Sequence, residues 1–589
     1  MNKEKWLIRV KKADFTGIAQ KYNISPILAR IIRNRDIIED EDINMYLNGT
    51  IESMYSPWLF KDMDKAVEII NIKINQNNKI RVICDYDIDG ICAGFVLLDC
   101  LEKAGANVDV VVPHRIEDGY GINEKLIDDA YNDGVDTIIT CDNGIAALDA
   151  IHHGKELGMT IVVTDHHEVP FEENEITGEK KYIIPEADAI INHKQKDCGY
   201  PFKELCGAAV VYKFIHALYE IRGLDLIALR KYLEFVAIAT VGDVVDLVGE
   251  NRVITKYGLD ILRKTTNKGL AALIEACNID KNSISSYTIG FVIGPCLNAS
   301  GRLDTARKAI ELLRCGNSTK ADTLAQELKR LNDERKHMTE KGVNKAMKIA
   351  EDYAQDKVLV IYLEDCHESI AGIIAGRIRE QFKKPTLILT RGDKEVKGSG
   401  RSTEAYDMFT ELSKVKYLFT KFGGHKMAAG LSLEEKNVTV LRKVINELCP
   451  LTDEDLIPKV WIDTELPLGY VTYNLVEQLE LLEPFGKGNE KPSFAAKDIG
   501  IRKIALLGEG GTVLKMELVD PSGHLIQGIC FNKSQEFISF IKEQYGDEEL
   551  KKITRGVANN VKLKIIYYPN INEYNGRTTL QIVVQSFCK

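Results

Sequence analysis

Three acidic residues directly follow a short apolar run in the first quarter of the chain. The stretch KIRVICDYDIDG, residues 79–90, predicts a buried strand that runs into Asp85, Asp87 and Asp89. Carboxylates at the end of a buried strand repel one another and lose hydration, unless a cation lies among them or water still reaches them. An all-oxygen set favours hard divalent ions such as Mg²⁺ and Mn²⁺ over zinc. The stretch alone fits a metal site and a solvated acidic turn, with one Asp capping a helix, about equally well.

Two later strands of the same region are predicted to end in similar residues. One ends at Asp142, and the next ends at Asp165, His166 and His167. Strands alternate with helices here, which predicts an α/β fold with a parallel, doubly wound sheet whose strand ends share one edge. Three acidic endings on one edge favour a common site over three separate polar loops. Asp243 follows a very apolar helix and is either a further ligand or an ordinary acid at a helix end.

The convergence of these residues would give a centre for phosphoryl chemistry. The candidate metal ligands are Asp85, Asp87, Asp89, Asp142, His166 and Asp243. Five carboxylates and one imidazole can hold two ions roughly 3.5–4 Å apart, which activate a water and stabilise the charge of a phosphoryl displacement. Asp142 is the candidate for a bridging ligand. His167 can then face the phosphate, and Asp165 either orients a His ring or ligates directly.

The elements that must position these residues suggest a chain of several domains. We expect an N-terminal helical segment (1–70), a catalytic α/β domain (71–315), a connector helix (316–355), a second α/β domain (356–455) and a small barrel of OB type (456–589). Residues 171–181 are predicted to be an exposed insertion. Two glycines and a proline argue against a regular element at 294–302, and Gly423-Gly424 suggest a tight turn.

Composition sets broad limits on function. The 589 residues are 45% hydrophobic and 28% charged, which is ordinary for a soluble protein, and no apolar run reaches the roughly 18 residues of a membrane span. The net charge of −10 argues against a general nucleic-acid binder, although a groove needs only a local basic lining. The thirteen scattered cysteines contain no CxxC pair, which favours a reduced, cytoplasmic setting.

Several motifs resemble those of known phosphoesterases. DYDIDG, CDNG, TDHH and VGDVVD resemble the four motifs of the DHH superfamily, and FGGHKMAAG resembles the glycine-rich signature of its DHHA1 domain. GPCLNASGRL, CHESIAGIIAGR, GSGRS and LLEPFGKGNEKP resemble a narrower family, the RecJ single-strand-specific exonucleases. The resemblance implies DHH and DHHA1 domains joined by a long helix, with an OB domain closing a ring over a groove. It also implies 5′→3′ hydrolysis of single-stranded DNA to 5′-mononucleotides with Mn²⁺ or Mg²⁺, in DNA repair and recombination.

The resemblance also implies roles for single residues. The motif acids and His166 match the family's metal ligands, and His167 matches its phosphate-facing histidine. Positions associated with holding phosphates, including the 5′ end, are Arg115, Arg302, Ser399 and Arg401, and His425 matches the histidine of the DHHA1 motif. Many superfamily members place a histidine in the region of Asp85, so Asp85 is a less secure ligand than Asp87 and Asp89. By analogy, the partners are single-strand-binding protein and a RecQ-type helicase, and the chain is a monomer.

Other functions remain open from the sequence. A phosphodiesterase for short oligonucleotides or cyclic dinucleotides would use the same metal centre but needs no terminal barrel. A pyrophosphatase needs only a small pocket, which leaves the last third of the chain without a role. A non-catalytic single-strand scaffold would have no reason to keep five buried carboxylates together.

Overall fold

The computed structural model describes residues 4–114, 121–173, 178–574 and 576–589. These residues form two compact units. The first unit contains Ser53–Pro458, and the second contains Glu4–Glu52 together with Lys459–Lys589. Among the described residues, no helix combines the length and the apolar character that a membrane crossing needs.

The described residues begin in the second unit, with a short strand and a group of helices. These elements are β1 (Lys5–Ile8), α1 (Phe15–Tyr22), α2 (Pro26–Asn34) and α3 (Asp40–Asn48). Helix α2 begins where Ser25 accepts a hydrogen bond from the Leu28 amide, 3.3 Å away, and Pro26 occupies the first turn, where no amide donor is needed. Its buried apolar residues belong to the same core as the C-terminal strands.

A parallel sheet organises the first half of the first unit. Its elements are α4 (Met63–Asn75), β2 (Lys79–Cys84), α5 (Ile88–Lys103), β3 (Asn107–Val111), α6 (Glu124–Asn132), β4 (Thr137–Cys141), α7 (Leu148–Glu156), β5 (Thr160–Thr164), β6 (Phe171–Glu173), β7 (Lys180–Tyr182) and β8 (Ala189–Ile191). The described strands pair in the parallel order β3-β2-β4-β5-β8. The sheet confirms the predicted doubly wound fold. The described ends of the 171–181 insertion form an exposed antiparallel pair, β6 with β7.

Helices follow the sheet up to the middle of the chain. They are α8 (Gly207–Ile221), α9 (Leu233–Gly242), α10 (Gly249–Leu262), α11 (Lys268–Ala276), α12 (Ser286–Thr288), α13 (Gly294–Leu303), α14 (Arg307–Leu313) and α15 (Ser318–Asp352). Helix α15 is the predicted long connector.

Helix α13 contradicts the prediction that residues 294–302 hold no regular element. Pro295 lies in its first turn, where a helix tolerates proline. Gly301 serves close packing rather than a turn, since a Cβ at that position would lie 2.6 Å from the Tyr86 carbonyl oxygen. The glycine that suggested a loop is therefore required by a neighbouring backbone, which the local sequence does not reveal.

A second, mixed sheet completes the first unit. Its elements are β9 (Leu359–Tyr362), α16 (Glu368–Phe382), β10 (Thr386–Arg391), β11 (Val396–Arg401), α17 (Met408–Ser413), β12 (Phe419–His425), β13 (Ala428–Leu433) and α18 (Val438–Glu447). The described strands follow the order β12-β13-β11-β10-β9, and only β9 and β10 pair in parallel. The predicted turn at Gly423-Gly424 is wrong, because both glycines pair within β12 and the hairpin reverses at Lys426 and Met427.

The last part of the chain forms a closed sheet. Its elements are β14 (Lys459–Ile462), β15 (Thr464–Glu465), α19 (Tyr473–Glu480), β16 (Phe494–Leu507), β17 (Val513–Val519), β18 (Leu525–Phe531), α20 (Ser534–Tyr545), α21 (Asp547–Arg555), β19 (Lys562–Tyr574) and β20 (Arg577–Cys588). The order β15-β16-β17-β18-β20-β19 closes through pairing of β16 with β19, which confirms the predicted barrel. Strand β14 pairs in parallel with β1.

Candidate active site

The carboxyl ends of three neighbouring strands place acidic residues side by side. Cys84 of β2 is in register with Cys141 of β4, and Cys141 is in register with Thr164 of β5. The residues that come next after these three positions are Asp85, Asp142 and Asp165, and all three side chains are buried. The sequence prediction that separate strands deliver their acids to one edge of the sheet is confirmed by this register.

Two helix N-termini hold the acids that follow β2. The Asp87 carboxylate caps α5 by accepting the amides of Asp89 and Gly90, at 2.9 and 3.1 Å. The Asp89 carboxylate accepts the amides of Gly207 and Ala208 at the start of α8, at 2.6 and 2.7 Å. The positive end of α8 therefore lies against a fully buried carboxylate, which lowers the free energy of its ionised form.

His166 lies among three of the carboxylates. Its Nε2 atom is 3.0 Å from Asp142 Oδ1, 3.6 Å from Asp89 Oδ2 and 3.8 Å from Asp243 Oδ2. Asp243 caps the C-terminus of α9. The helix-end acid that the sequence left ambiguous is thus in the same cluster as the strand-end acids.

The cluster contains overlapping groups of donor atoms that suit a cation. Within each group the atoms lie within 4.8 Å of one another, and the groups are Asp85 with Asp87 and Asp142, Asp89 with His166 and Asp243, and Asp142 with His166 and His167. Asp142 takes part in two groups. Carboxylate oxygens dominate the donor set, with imidazole nitrogen as the minority, and this composition fits Mg²⁺ or Mn²⁺.

Burial and mutual repulsion perturb the ionisation of these acids. Burial and the Asp87 charge raise the pKa of Asp89 to about 6, despite the amides from α8. Burial and the Asp89 charge raise the pKa of Asp243 to about 8 and hold the pKa of Asp142 well above its usual range. Burial and the neighbouring His167 lower the pKa of His166 to about 3, so that its ring is neutral and can act as a ligand. The donor set is therefore poised for a cation, which would relieve the repulsion.

Asp165 differs from the other acids because it has hydrogen-bond donors around it. It accepts the amides of Ile145, His166 and His167 at 2.9, 2.7 and 3.1 Å, and His167 Nδ1 lies 2.8 Å from Asp165 Oδ1. Although burial opposes ionisation, the His167 hydrogen bond and charge lower the pKa of Asp165 to about 2. Burial also opposes the charge on His167, but the hydrogen bond to Asp165 raises the pKa of His167 to about 9. A charged, partly exposed imidazolium results.

A basic cavity adjoins the acid cluster in the same unit. It has a volume of about 670 Å³, and Tyr86, which lies between Asp85 and Asp87 in the chain, lines it. Its other lining residues are Arg302, Glu368, Ser369, Gly372, Ile373, Lys397, Gly398, Ser399, Arg401, Lys421, Phe422, Gly423, Gly430, Leu431 and Ser432. This lining contains four cationic side chains and one carboxylate, so the cavity favours an anion.

Close packing shapes the wall of this cavity. Arg302 Nη1 donates to the Ser369 carbonyl at 2.7 Å, which ties α13 to the start of α16. Arg401 donates to its own strand, to the Gly400 carbonyl at 2.8 Å. A Cβ on Gly372 would lie 2.7 Å from Arg401 Nη2 and 2.8 Å from the Ser399 hydroxyl, so a side chain at this position of α16 would displace these groups from their present places.

Of the five residues predicted to hold phosphates, three line the cavity. Arg302, Ser399 and Arg401 line it. His425 is exposed at the end of β12, and its ring accepts the Met427 amide at 3.3 Å. Arg115 lies outside the described residues.

Several residues that build the site were missed by the sequence reasoning. The Asn143 amide donates to the Ile83 and Cys141 carbonyls, at 3.1 and 2.9 Å, and so fastens the ends of β2 and β4 together. The backbone amides of Gly207 and Ala208 carry no side-chain signature. Asn143 lies within the CDNG motif, so its position next to Asp142 was the available signal.

Comparisons with known proteins agree with this architecture. Family models match at residues 79–240 (DHH family, N-terminal domain), 355–450 (DHHA1 domain) and 462–586 (RecJ OB domain). The fold and the acid cluster thus define a DHH-type phosphoesterase with a DHHA1 domain.

Relatives that match along nearly the whole of this chain identify the family more closely. The single-stranded-DNA-specific exonuclease RecJ of Bacillus subtilis (strain 168) is 32% identical over 590 residues, covering 99% of this chain and 71% of the relative. The protein of the same name from Escherichia coli (strain K12) is 31% identical, covering 96% of each chain. The chain belongs to the RecJ family.

A solved structure shows the same fold. The crystal structure of RecJ in complex with Mn²⁺ from Thermus thermophilus has a TM-score of 0.80 and 24% sequence identity, covering 99% of this chain and 79% of that chain.

Proposed function

We propose that the protein is a single-stranded-DNA-specific exonuclease that hydrolyses DNA from the 5′ end and releases 5′-mononucleotides. The observation that carries this proposal is that the acid cluster and the basic cavity are adjacent. Tyr86 lines the cavity, and its neighbours in the chain, Asp85 and Asp87, belong to the acid cluster. The RecJ relatives are named for this activity. A terminal phosphate held in the cavity would place the first phosphodiester near the acids.

We propose Mn²⁺ or Mg²⁺ as the cofactor, bound as two ions. The ligands would be Asp85, Asp87, Asp89, Asp142, His166 and Asp243, with Asp142 shared because it belongs to two of the donor groups. When bound, such ions supply a nucleophilic water at neutral pH and neutralise charge on the phosphate. The α8 amides keep the Asp89 carboxylate in place for this task.

His167 and Asp165 supply the protein's own positive charge in this proposal. Asp165 fixes the His167 ring through Nδ1 and stabilises its charged form, so Nε2 can donate to a phosphate oxygen. A fixed imidazolium would stabilise the charge that develops on the phosphate during hydrolysis.

The cavity would recognise the terminal phosphate and set the polarity of hydrolysis. Arg302, Ser399 and Arg401 offer guanidinium and hydroxyl donors, and the N-terminus of α16 adds its dipole. Arg115 and His425 are further proposed contacts for the strand.

Digestion of end-labelled DNA tests the proposal. A long single strand with a 5′-phosphate and a 5′ label is incubated with Mn²⁺ or Mg²⁺, and with chelator. We expect labelled mononucleotide from the first time point, with none in chelator. Release from a 3′ label first would refute the polarity, and equal rates on a matched duplex would refute single-strand specificity.

The same assay separates the other reaction classes. Cyclic dinucleotides and pyrophosphate are offered at the same concentration as the strand. Faster turnover of either small substrate would contradict the exonuclease proposal and favour a cyclic-dinucleotide phosphodiesterase or a pyrophosphatase instead. Strand binding without hydrolysis in both metals would favour a scaffold.

The biological setting is proposed from the family alone. We propose a role in DNA repair and recombination in the cytoplasm, as a monomer, with single-strand-binding protein and a RecQ-type helicase as partners. Light scattering of the purified protein would test the monomer, and co-sedimentation with either partner on single-stranded DNA would test the association.

A further inference from the structure

A pair of thiols lies outside the acid cluster, on elements that also contact the connector helix. Cys277 caps the C-terminus of α11, and Cys296 lies in α13. Their Sγ atoms are 3.7 Å apart. A sulfur–sulfur distance of this size is a contact between two free thiols, and a disulfide requires a closer approach, to about 2.05 Å.

The two thiols differ in exposure and in protonation. Cys277 is partly exposed, whereas Cys296 is buried. The hydrogen bond from Cys296 lowers the pKa of Cys277, and the charges of Lys329 and Lys336 on α15 act in the same direction, against burial and the charge of Asp333. The same hydrogen bond to Cys277, followed by burial, raises the pKa of Cys296. A partly exposed thiol with a lowered pKa next to a buried thiol with a raised pKa is the arrangement of reactive and resolving cysteines.

We propose that Cys277 and Cys296 are a peroxide-sensitive thiol pair that closes to a disulfide and thereby changes the phosphate cavity. In the first step, the Cys277 thiolate attacks hydrogen peroxide, the O–O bond breaks, and Cys277 sulfenic acid and hydroxide form. In the second step, Cys296 sulfur attacks Cys277 sulfur, the S–O bond breaks, and the Cys296 proton leaves with the hydroxyl as water. The pair loses two electrons and one peroxide is reduced.

The first step prepares the second. The raised pKa of Cys296 arises chiefly from its hydrogen bond to Cys277. Once Cys277 has become a sulfenic acid, this thiol–thiol hydrogen bond is lost, and with it the largest cause of the raised pKa of Cys296. The buried thiol therefore becomes the nucleophile only after the exposed thiol has been oxidised.

Helix α13 connects this pair to the cavity, and this part of the inference depends on the proposed function. Cys296 and Arg302 lie on the same ten-residue helix, and Arg302 donates to the Ser369 carbonyl at the cavity. Cys296 also accepts from Asn332 Nδ2 at 3.3 Å, which holds α13 to α15. When Cys296 moves towards Cys277, its hydrogen bond with Asn332 lengthens, and we expect α13 to shift with it.

Peptide mapping tests the chemistry without any activity assay. The full chain is treated with chelator, so that bound Mn²⁺ does not consume peroxide, and then with a small molar excess of hydrogen peroxide. We expect a linked peptide pair containing Cys277 and Cys296 that dithiothreitol separates. Cys277→Ser must abolish the linked pair, whereas Cys449→Ser, at another partly exposed cysteine, must retain it.

Two results would overturn the chemistry. One is oxidation of Cys277 by peroxide to sulfinic acid without formation of a linked peptide. The other is a linked pair that forms equally with other cysteines, which would indicate random oxidation. The variant Cys296→Ser provides a second check, because its hydroxyl can still donate to Cys277 but cannot form a disulfide, so Cys277 sulfenic acid should persist and be captured by a dimedone probe.

Kinetics on a 5′-phosphorylated single strand test the coupling to the cavity. The reduced protein is measured first, so that an inactive reduced protein refutes the proposed function and leaves the mapping result intact. After oxidation and removal of peroxide, we expect KM to rise about fivefold, the factor worth one hydrogen bond, with a smaller change in kcat. An unchanged KM in fully linked protein would overturn the coupling, and Cys277→Ser must show no peroxide effect.

Discussion

Replacing Lys213 with methionine is a direct test of how the helix behind the acid cluster is held. Lys213 of α8 and Glu250 of α10 form a buried ion pair, with Nζ 2.7 Å from Oε1 and side-chain exposures of 3% and 0%. Lys213 also donates to the Tyr55 carbonyl at 2.6 Å, and Glu250 accepts the Tyr55 amide at 2.7 Å and the Tyr200 hydroxyl. The pair therefore joins α8, α10 and the chain around Tyr55.

The cost follows from the burial of Glu250. Lys213→Met leaves a fully buried carboxylate with no cation beside it, for which about 3–5 kcal/mol of destabilisation is usual. The double variant Lys213→Met/Glu250→Gln removes both charges and should recover part of this loss. We expect an interaction free energy of about 2–3 kcal/mol in the double-mutant cycle.

Urea unfolding followed by tryptophan fluorescence can report on this unit. Of the tryptophans at positions 6, 58 and 461, only Trp58 lies in the first unit. Its Nε1 donates to Glu220 of α8 at 2.8 Å, so it reports on the helix that carries Lys213. A background of Trp6→Phe and Trp461→Phe removes the other two signals.

An exposed ion pair supplies the matched control. Lys443 lies 3.9 Å from Glu447 on α18, where both side chains are exposed to water, and Lys443→Met should cost less than about 0.5 kcal/mol. If Lys213→Met costs no more than this control, or if the two single substitutions are additive, the inferred role of the buried pair is wrong.

Three further substitutions test the site. Asp142→Asn, which suits the positive φ of 62° at this residue, should abolish nucleotide release while single-strand binding by anisotropy stays within about threefold; turnover near the wild-type rate would contradict the metal assignment. Asp243→Asn should raise the melting temperature of the metal-free protein at pH 8 and reduce the gain on adding Mn²⁺. The raised pKa of Asp243 means that the folded state binds the proton more tightly, so the stability of the wild-type protein falls as pH rises from about 4 to about 8. A difference in stability between the wild type and Asp243→Asn that does not change with pH would refute this cause. Asp322→Asn, at an exposed acid, is the control. Arg401→Gln should raise KM about tenfold for a 5′-phosphorylated strand and less for a 5′-hydroxyl strand, and an equal rise for both would remove the terminal-phosphate role.

The acid cluster was predictable because its signals are local. Each apolar run shows where a strand ends, and the next residue, Asp85, Asp142 or Asp165, is an acid that the parallel sheet then brings beside the others. Asp243 could be tied to the cluster only through the family resemblance, since an acid at a helix end is common.

The parts that sequence could not supply depend on backbone contacts between distant segments. The α8 amides that bind Asp89 belong to Gly207 and Ala208, whose side chains say nothing of this role. Gly301 looked like a loop residue, but it lies in α13, and glycine is required there because the Tyr86 carbonyl approaches it closely. A single sequence records the residue type that such an approach requires, without recording which partner requires it.

The electrostatics of the metal-free site explain why these particular supports surround it. Burial and neighbouring carboxylates raise the pKa values of Asp89 and Asp243, so without a cation a cluster of this kind favours the protonated acids over the ionised carboxylates. The α8 amides on Asp89 and the imidazolium of His167 offset only part of that repulsion. The part that remains is available for a divalent cation to neutralise, and it makes folding stability and cation binding two measures of the same interaction. A substitution that removes one carboxylate should therefore move the two quantities in opposite directions, stabilising the metal-free fold while weakening its hold on the ion.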